Sequence, residues 1–138
     1  YPRNCTLKQF SFYKMIIINN LLQNGDAHLK NFGLVYSNVN DISLAPAYDV
    51  VSTTVYIKND VPALHLLGSK KWWDKKFLLR FGIESCNLTN KEVNEYYDEC
   101  LSAMSRVANE IALRVEHEKN SDKREVLEKL LNVTSKKK

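Results

Sequence analysis

Apolar residues recur at helical spacing along several stretches of the chain. Leu7, Phe10, Ile17, Ile18 and Leu21 fall on one face of a helix predicted from Leu7 to Gln23, interrupted only by Lys14. Thr6 with Gln9 resembles a capping box at its start, and Asn24-Gly25, tolerant of positive φ, is its expected stop. Val93, Tyr97, Cys100, Met104, Val107, Ile111 and Val115 form the clearest stripe. They predict a helix opened by a Thr89/Glu92 capping box and running to about Lys119. Asp122 and Glu125 open a last helix that turns Val126, Leu127, Leu130 and Leu131 inward. Ser69 to Phe81, carrying Trp72, Trp73, Phe77 and Leu78, is a weaker helical pattern with Gly82 as its stop.

Period-two patterning is confined to a short region. Phe32 to Tyr36 predicts a strand, Ser37 to Asp41 a polar turn and Ile42 to Leu44 its partner. Pro46 and Pro62 bracket a segment, Val50 to Val61, that is rich in β-branched residues and expected to be partly extended. The predicted architecture is mainly α, with one small hairpin.

Composition narrows the picture further. The chain has 138 residues, 44% hydrophobic and 26% charged, which suits one globular domain or a large piece of one. It begins at Tyr1 and is expected to be a processed or excised fragment. Lys136 to Lys138 supply three of the net +4 charges and are expected to be a solvated basic tail. Cys5, Cys86 and Cys100 lack metal-type spacing and favour a reducing, cytoplasmic compartment. No apolar run approaches the ~18 residues of a membrane span.

The candidate chemistry lies between the first helix and the second half of the chain. Asn24-Gly25-Asp26-Ala27-His28-Leu29-Lys30-Asn31 follows the helix, and Ala45-Pro46-Ala47-Tyr48-Asp49 follows the hairpin. Phosphoryl transfer in kinases needs an Asp at the attacking hydroxyl, an Asn on Mg²⁺ and a second Mg²⁺-binding Asp. Asp26 and Asn31 have the kinase catalytic-loop spacing, and Asp49 supplies the third group. The hairpin between them is expected to carry Asp49 back beside Asp26. Lys30 or His28 would face phosphate charge, and their residue types do not rank them.

These two strings, with Asn31-Phe32 and Leu44 to Ser52, resemble the HipA-like family, bacterial serine/threonine protein kinases that act as toxins of toxin–antitoxin systems. The resemblance implies the C-terminal lobe of a protein-kinase-like fold over residues 1–134. In that lobe 24–52 would hold the catalytic loop and metal-binding Asp, 69–134 the helical remainder, and 135–138 the tail. It makes Asp26 catalytic and Asn31 and Asp49 metal ligands, and it lines the nucleotide with His28, Leu29, Lys30, Asn31, Tyr48 and Asp49. ATP and Mg²⁺ are the implied cofactors. The implied partners are a protein substrate of the aminoacyl-tRNA synthetase kind and a helix-turn-helix antitoxin, through which alone DNA is met; no membrane is implied.

The chain departs from a complete kinase in one respect. Its glycines are Gly25, Gly33, Gly68 and Gly82, so no Gly-rich loop or strand Lys precedes the catalytic loop. An N-terminal kinase portion, in the same or a separate chain, is expected to complete the site. Two other readings compete: a degenerate, inactive kinase-derived binding module, and a metallophosphoesterase suggested by Gly25-Asp26-Ala27-His28. The second lacks ligands, since only His65 and His117 remain, and His117 falls on a predicted helix. Trp72-Trp73 is expected to be core or partly buried, His65 a satisfied core histidine, and Lys70-Lys71 with Lys75-Lys76 a solvated face.

Overall fold

The longest amphipathic stretch becomes the longest helix. Thr89 Oγ1 accepts from the Glu92 N–H at 3.2 Å, and Glu92 Oε1 accepts from the Thr89 N–H at 3.1 Å. Both of these otherwise orphaned donors are thereby satisfied, and the capping box predicted at this start is present. The computed structural model describes residues 6–135, with side chains from position 9 onward. Its helices are α1 (Thr6–Leu21), α2 (Lys75–Glu84), α3 (Asn90–His117) and α4 (Ser121–Ser135). Strands β1 (Leu34–Asn38) and β2 (Asp41–Leu44) pair antiparallel, and single 3₁₀ turns cover Leu29–Asn31 and Thr53–Val55. The fold is mainly helical with one hairpin, as the patterning predicts. The side chains of Thr6 and Leu7, and with them the Thr6/Gln9 cap, lie outside the described part, as do Cys5 and the tail beyond 135.

The core joins α1, α2 and α3. Tyr13, Ile17 and Leu21 meet Leu78 and Phe81, with Val93, Tyr97, Cys100 and Met104 opposite. Each such side chain contributes about 1.5–3 kcal/mol by leaving water. Tyr13 lay outside the predicted stripe yet is fully buried, because its hydroxyl donates to the Leu78 carbonyl at 3.0 Å. Lys14, the polar interruption, stays at the rim: it pairs with Glu99 at 3.0 Å and covers the Phe10 and Tyr96 rings. On α3 the inward position is Ala108 rather than Val107, which is 43% exposed.

Several boundaries differ from the sequence reading. Helix α1 ends at Leu21, and the left-handed residue is Gln23 (φ 55°) rather than Asn24 or Gly25. The Asn24 N–H reaches the Asn19 carbonyl and the Gln23 N–H that of Asn20, which is a Schellman closure. Helix α2 starts at Lys75, where Asp74 accepts from the Phe77 N–H at 2.8 Å, and it runs through Gly82 to Glu84. Gly82 is therefore an interior residue, not a stop. Helix α4 is capped by Asn120, whose Oδ1 accepts from the Asp122 and Lys123 N–H groups. Val50 to Val61 holds no strand: the backbone is extended at Ser52 and then turns through a 3₁₀ helix at Thr53–Val55. His65 is exposed, since Leu66 takes the inward position of that turn. Among the described residues no helix is long and apolar enough to cross a membrane.

The buried thiols give the fold a pH signature. Burial pushes Cys86 and Cys100 up to about 11, and both are free. The folded chain therefore holds protons that the unfolded chain releases above pH 9, so stability must fall as pH rises from there towards 11. Tyr13 and Tyr97, also raised by burial, add to the same trend. Urea midpoints compared at pH 8 and pH 10.5 check this: the expected result is a lower midpoint at the higher pH, with labelling of Cys86 and Cys100 at pH 8 slow until denaturant is added.

Candidate active site

The site is assembled on the end of α1 by one carboxamide. Asn24 is buried, and its Oδ1 accepts from the Asp26 N–H at 3.1 Å. Its Nδ2 donates to Asn19 Oδ1 at 2.8 Å and to the Asp49 carbonyl at 3.1 Å. One side chain thus ties the helix to the loop that carries Asp26 and to the backbone of Asp49. Asp26 and Asp49 belong to different segments and are registered by a residue that bears no charge.

Asn31 completes the junction. Its Oδ1 accepts from the His28 N–H at 3.2 Å, closing the 3₁₀ turn Leu29–Asn31, and its Nδ2 lies 3.4 Å from Asp49 Oδ2. Asp49 itself has φ 54°, a left-handed conformation that costs about 1–2 kcal/mol for an L-residue and that Asp tolerates better than most. Tyr48 is 42% exposed and donates its hydroxyl to the Lys30 carbonyl at 2.5 Å. Tyr48 therefore acts here as a brace between the Asp49 segment and the loop. The hairpin that joins these parts pairs Leu34 with Leu44 and Asn38 with Asp41, a turn shorter than expected.

The other predicted site residues lie around this pair. The Asp26 side chain is 71% exposed, with Oδ1 3.8 Å from His28 Nε2. His28 Nδ1 is buried without a partner among the described residues. Leu29 is 76% exposed, and Lys30 is exposed beside it. The loop thus leaves Asp26, Leu29 and Lys30 exposed and His28 half-buried, while Asn31 turns inward to Asp49.

A second layer was not readable in the sequence. The Gly25 N–H donates to Thr53 Oγ1 at 2.7 Å, and the Thr53 hydroxyl donates to Asp60 Oδ2 at 2.5 Å. A Cβ on Gly25 would lie 2.0 Å from Asp60 Oδ2 and 2.8 Å from the Val61 carbonyl. Glycine is required here by close approach, not by its backbone angle. Asn24 was visible as part of the string, but Thr53 and Asp60 had no local signal.

The donor set suits a hard cation shared with phosphate. Asn31 Oδ1 accepts one hydrogen bond and has a second lone pair, and among the described residues the Asp49 carboxylate meets the Asn31 amide alone of the side chains. Among the described residues no group of three His, Cys, Asp or Glu forms a metal cage. Mg²⁺ is characteristically held by one or two protein oxygens together with substrate phosphates, so a two-ligand arrangement fits it.

Fold and site together define a kinase-like C-terminal lobe. The family model described as the HipA-like C-terminal domain matches residues 3–127, and the chain belongs to that family. A protein of Sinorhizobium fredii named "Putative kinase Y4dM" is 41% identical over 61 residues, 44% of this chain and 15% of that protein. A "Putative kinase" of Haemophilus influenzae is 38% identical over 56 residues, 41% of this chain and 16% of that protein. The matched stretch spans less than a fifth of either relative's length.

Proposed function

We propose that this chain supplies the catalytic loop and metal-binding residues of a serine/threonine protein kinase, acting as the toxin of a toxin–antitoxin system. The observation that carries the reading is the 3.4 Å contact of Asn31 with Asp49, in a segment registered to Asp26 through Asn24. Two metal-ligand types from separate parts of the sequence meet here, and Asp26 lies on the same tied loop, in the order a kinase needs.

Each residue then has a task. The Asp26 carboxylate orients the Ser or Thr hydroxyl and accepts its proton, as that oxygen bonds to the γ-phosphorus and the bond to the β–γ bridging oxygen breaks, releasing ADP. Its exposure leaves room for a protein substrate to approach. Asn31 and Asp49 would hold Mg²⁺, and the metal would supply positive charge against the transferring phosphate. His28, Leu29 and Lys30 would line the phosphates, while Tyr48 and Asn24 keep the two segments in register. The Gly-rich cover of the phosphates would come from an N-terminal kinase portion, in this polypeptide or another. A helix-turn-helix antitoxin, a substrate of the aminoacyl-tRNA synthetase kind and a cytoplasmic location belong to the same proposal.

The test is phosphoryl transfer by the full-length protein that carries this domain, supplied with Mg²⁺ and γ-labelled ATP. Label is expected on Ser or Thr of a protein substrate and is expected to vanish in Asp26→Ala. Retained transfer in Asp26→Ala would overturn the assignment. Nucleotide binding without transfer in the unaltered protein would favour the inactive binding module instead.

A further inference from the structure

Away from the catalytic loop, one groove collects more cations than acids. It has a volume of about 620 Å³ and runs along α2, lined by Lys71, Trp73, Lys76, Phe77, Arg80 and Ile83 among others. Lys71 and Lys76 have no ion-pair partner among the described residues. Arg80 has Glu84 at 3.5 Å, on the outer edge of the same helix. The acid in the groove lining is Asp74, and one of its carboxylate oxygens is committed to the Phe77 N–H as the α2 cap. Lys76 and Arg80 stand one helical turn apart, a spacing at which like charges repel. The bare surface therefore carries a positive excess that an anionic occupant relieves.

The aromatic residues decide which anion. Trp73 is buried and stacks on Phe77 with ring centroids 6.1 Å apart, and the Arg80 guanidinium lies 5.5 Å from the Phe77 centroid. The facing rings of Trp73 and Phe77 are thus engaged. Trp72, which also lines the groove, is half-buried, with its indole N–H donated to the Asp60 carbonyl at 3.0 Å. The groove therefore lacks the succession of open aromatic faces on which single-stranded nucleic acid stacks. What remains is apolar: ring edges and the Ile83 side chain, which is 42% exposed. Helix α2 is about 15 Å long, enough for roughly four or five residues of extended peptide.

We propose that this groove is a docking site for an acidic peptide segment of a partner protein, whose apolar side chains meet Phe77 and Ile83 while its carboxylates meet Lys71, Lys76 and Arg80. The site is separate from the catalytic loop, and docking there needs no nucleotide. Charge complementarity sets the partner's chemistry, and the filled aromatic faces favour a peptide over a nucleic acid strand.

Fluorescence polarisation of the full chain tests this without ATP. The probes are a fluorescein-labelled peptide of glutamate and leucine, the same peptide with glutamine for glutamate, and fluorescein-labelled oligo(U) RNA. The acidic peptide is expected to bind, to weaken as salt is raised, and to lose about tenfold or more in affinity in Lys71→Glu/Lys76→Glu. Lys123→Glu, an exposed cation on α4, is expected to leave binding unchanged. Circular dichroism of the double variant confirms that its helices are intact, because both changed positions are exposed. Equal binding of the glutamine peptide, preference for the RNA, equal binding by the double variant, or no binding of the acidic peptide would each overturn the proposal.

Discussion

Asp49→Ala is expected to lower phosphoryl transfer by the full-length protein by roughly 10²–10³-fold or more, the cost of losing a group that stabilises charge at a reacting phosphate. Mg²⁺-dependent ATP affinity should fall with it, because Asp49 provides the carboxylate in contact with Asn31. Alanine also loses the tolerance of Asp for the left-handed φ of 54°, so some stability goes with the activity. Asp49→Asn separates the two effects. Asparagine accepts the same backbone conformation and keeps a carbonyl oxygen for the Asn31 amide, but it has no charge for a metal. The expected result is an unchanged melting temperature with strongly reduced transfer. Transfer at the unaltered rate in Asp49→Asn would remove this residue from the metal site.

Gly82→Val is expected to be the most damaging single change to the fold. A Cβ at this position would lie 2.5 Å from Val93 Cγ1 and 2.8 Å from the Tyr13 ring. Tyr13 and Val93 are both fully buried, so neither can swing into solvent to make room. Overpacking typically costs about 1–3 kcal/mol, and valine adds two further methyl groups beyond the Cβ that already clashes. A loss of about 3 kcal/mol, seen as a melting temperature at least ~10 °C lower, is the expected outcome for a chain of this size. Leu113→Ala, at a side chain 61% exposed on α3, should change stability by no more than about 0.5 kcal/mol. If Gly82→Val melts with the unaltered protein, the close approach of α1, α2 and α3 at this point is wrong.

The two glycines show where sequence reasoning stops. Gly25 and Gly82 were both taken as helix stops, since glycine near the end of an apolar stripe usually is one. Neither is. Gly25 is packed under Asp60 and the Val61 carbonyl, Gly82 under Val93 and Tyr13, and the residue with the left-handed angle is Gln23. A glycine selected for a missing Cβ looks the same in a sequence as one selected for its backbone freedom. The neighbour that makes the difference lies tens of residues away. The same holds for Thr53 and Asp60, whose task at Gly25 depends on a turn that β-branched composition disguised as extended chain.

Local patterning was a better guide where a single element carried the information. The Thr89/Glu92 box, the α3 stripe apart from one position, and the order helix, loop, hairpin, acid were all written in neighbouring residues, because caps and amphipathic faces are short-range physics. The candidate residues Asp26, Asn31 and Asp49 were legible for the same reason, as residue types at a spacing. Their juxtaposition was not. It rests on the buried carboxamide of Asn24, which satisfies three polar partners at once, and on the Tyr48 hydroxyl holding the Lys30 carbonyl. The sequence by itself determined the helices, the hairpin and the chemical types offered at the loop. Only the tertiary structure decided which carbonyls and carboxylates those groups would meet, because hydrogen bonds between distant segments exist only after the apolar faces of α1, α2 and α3 have closed on one another.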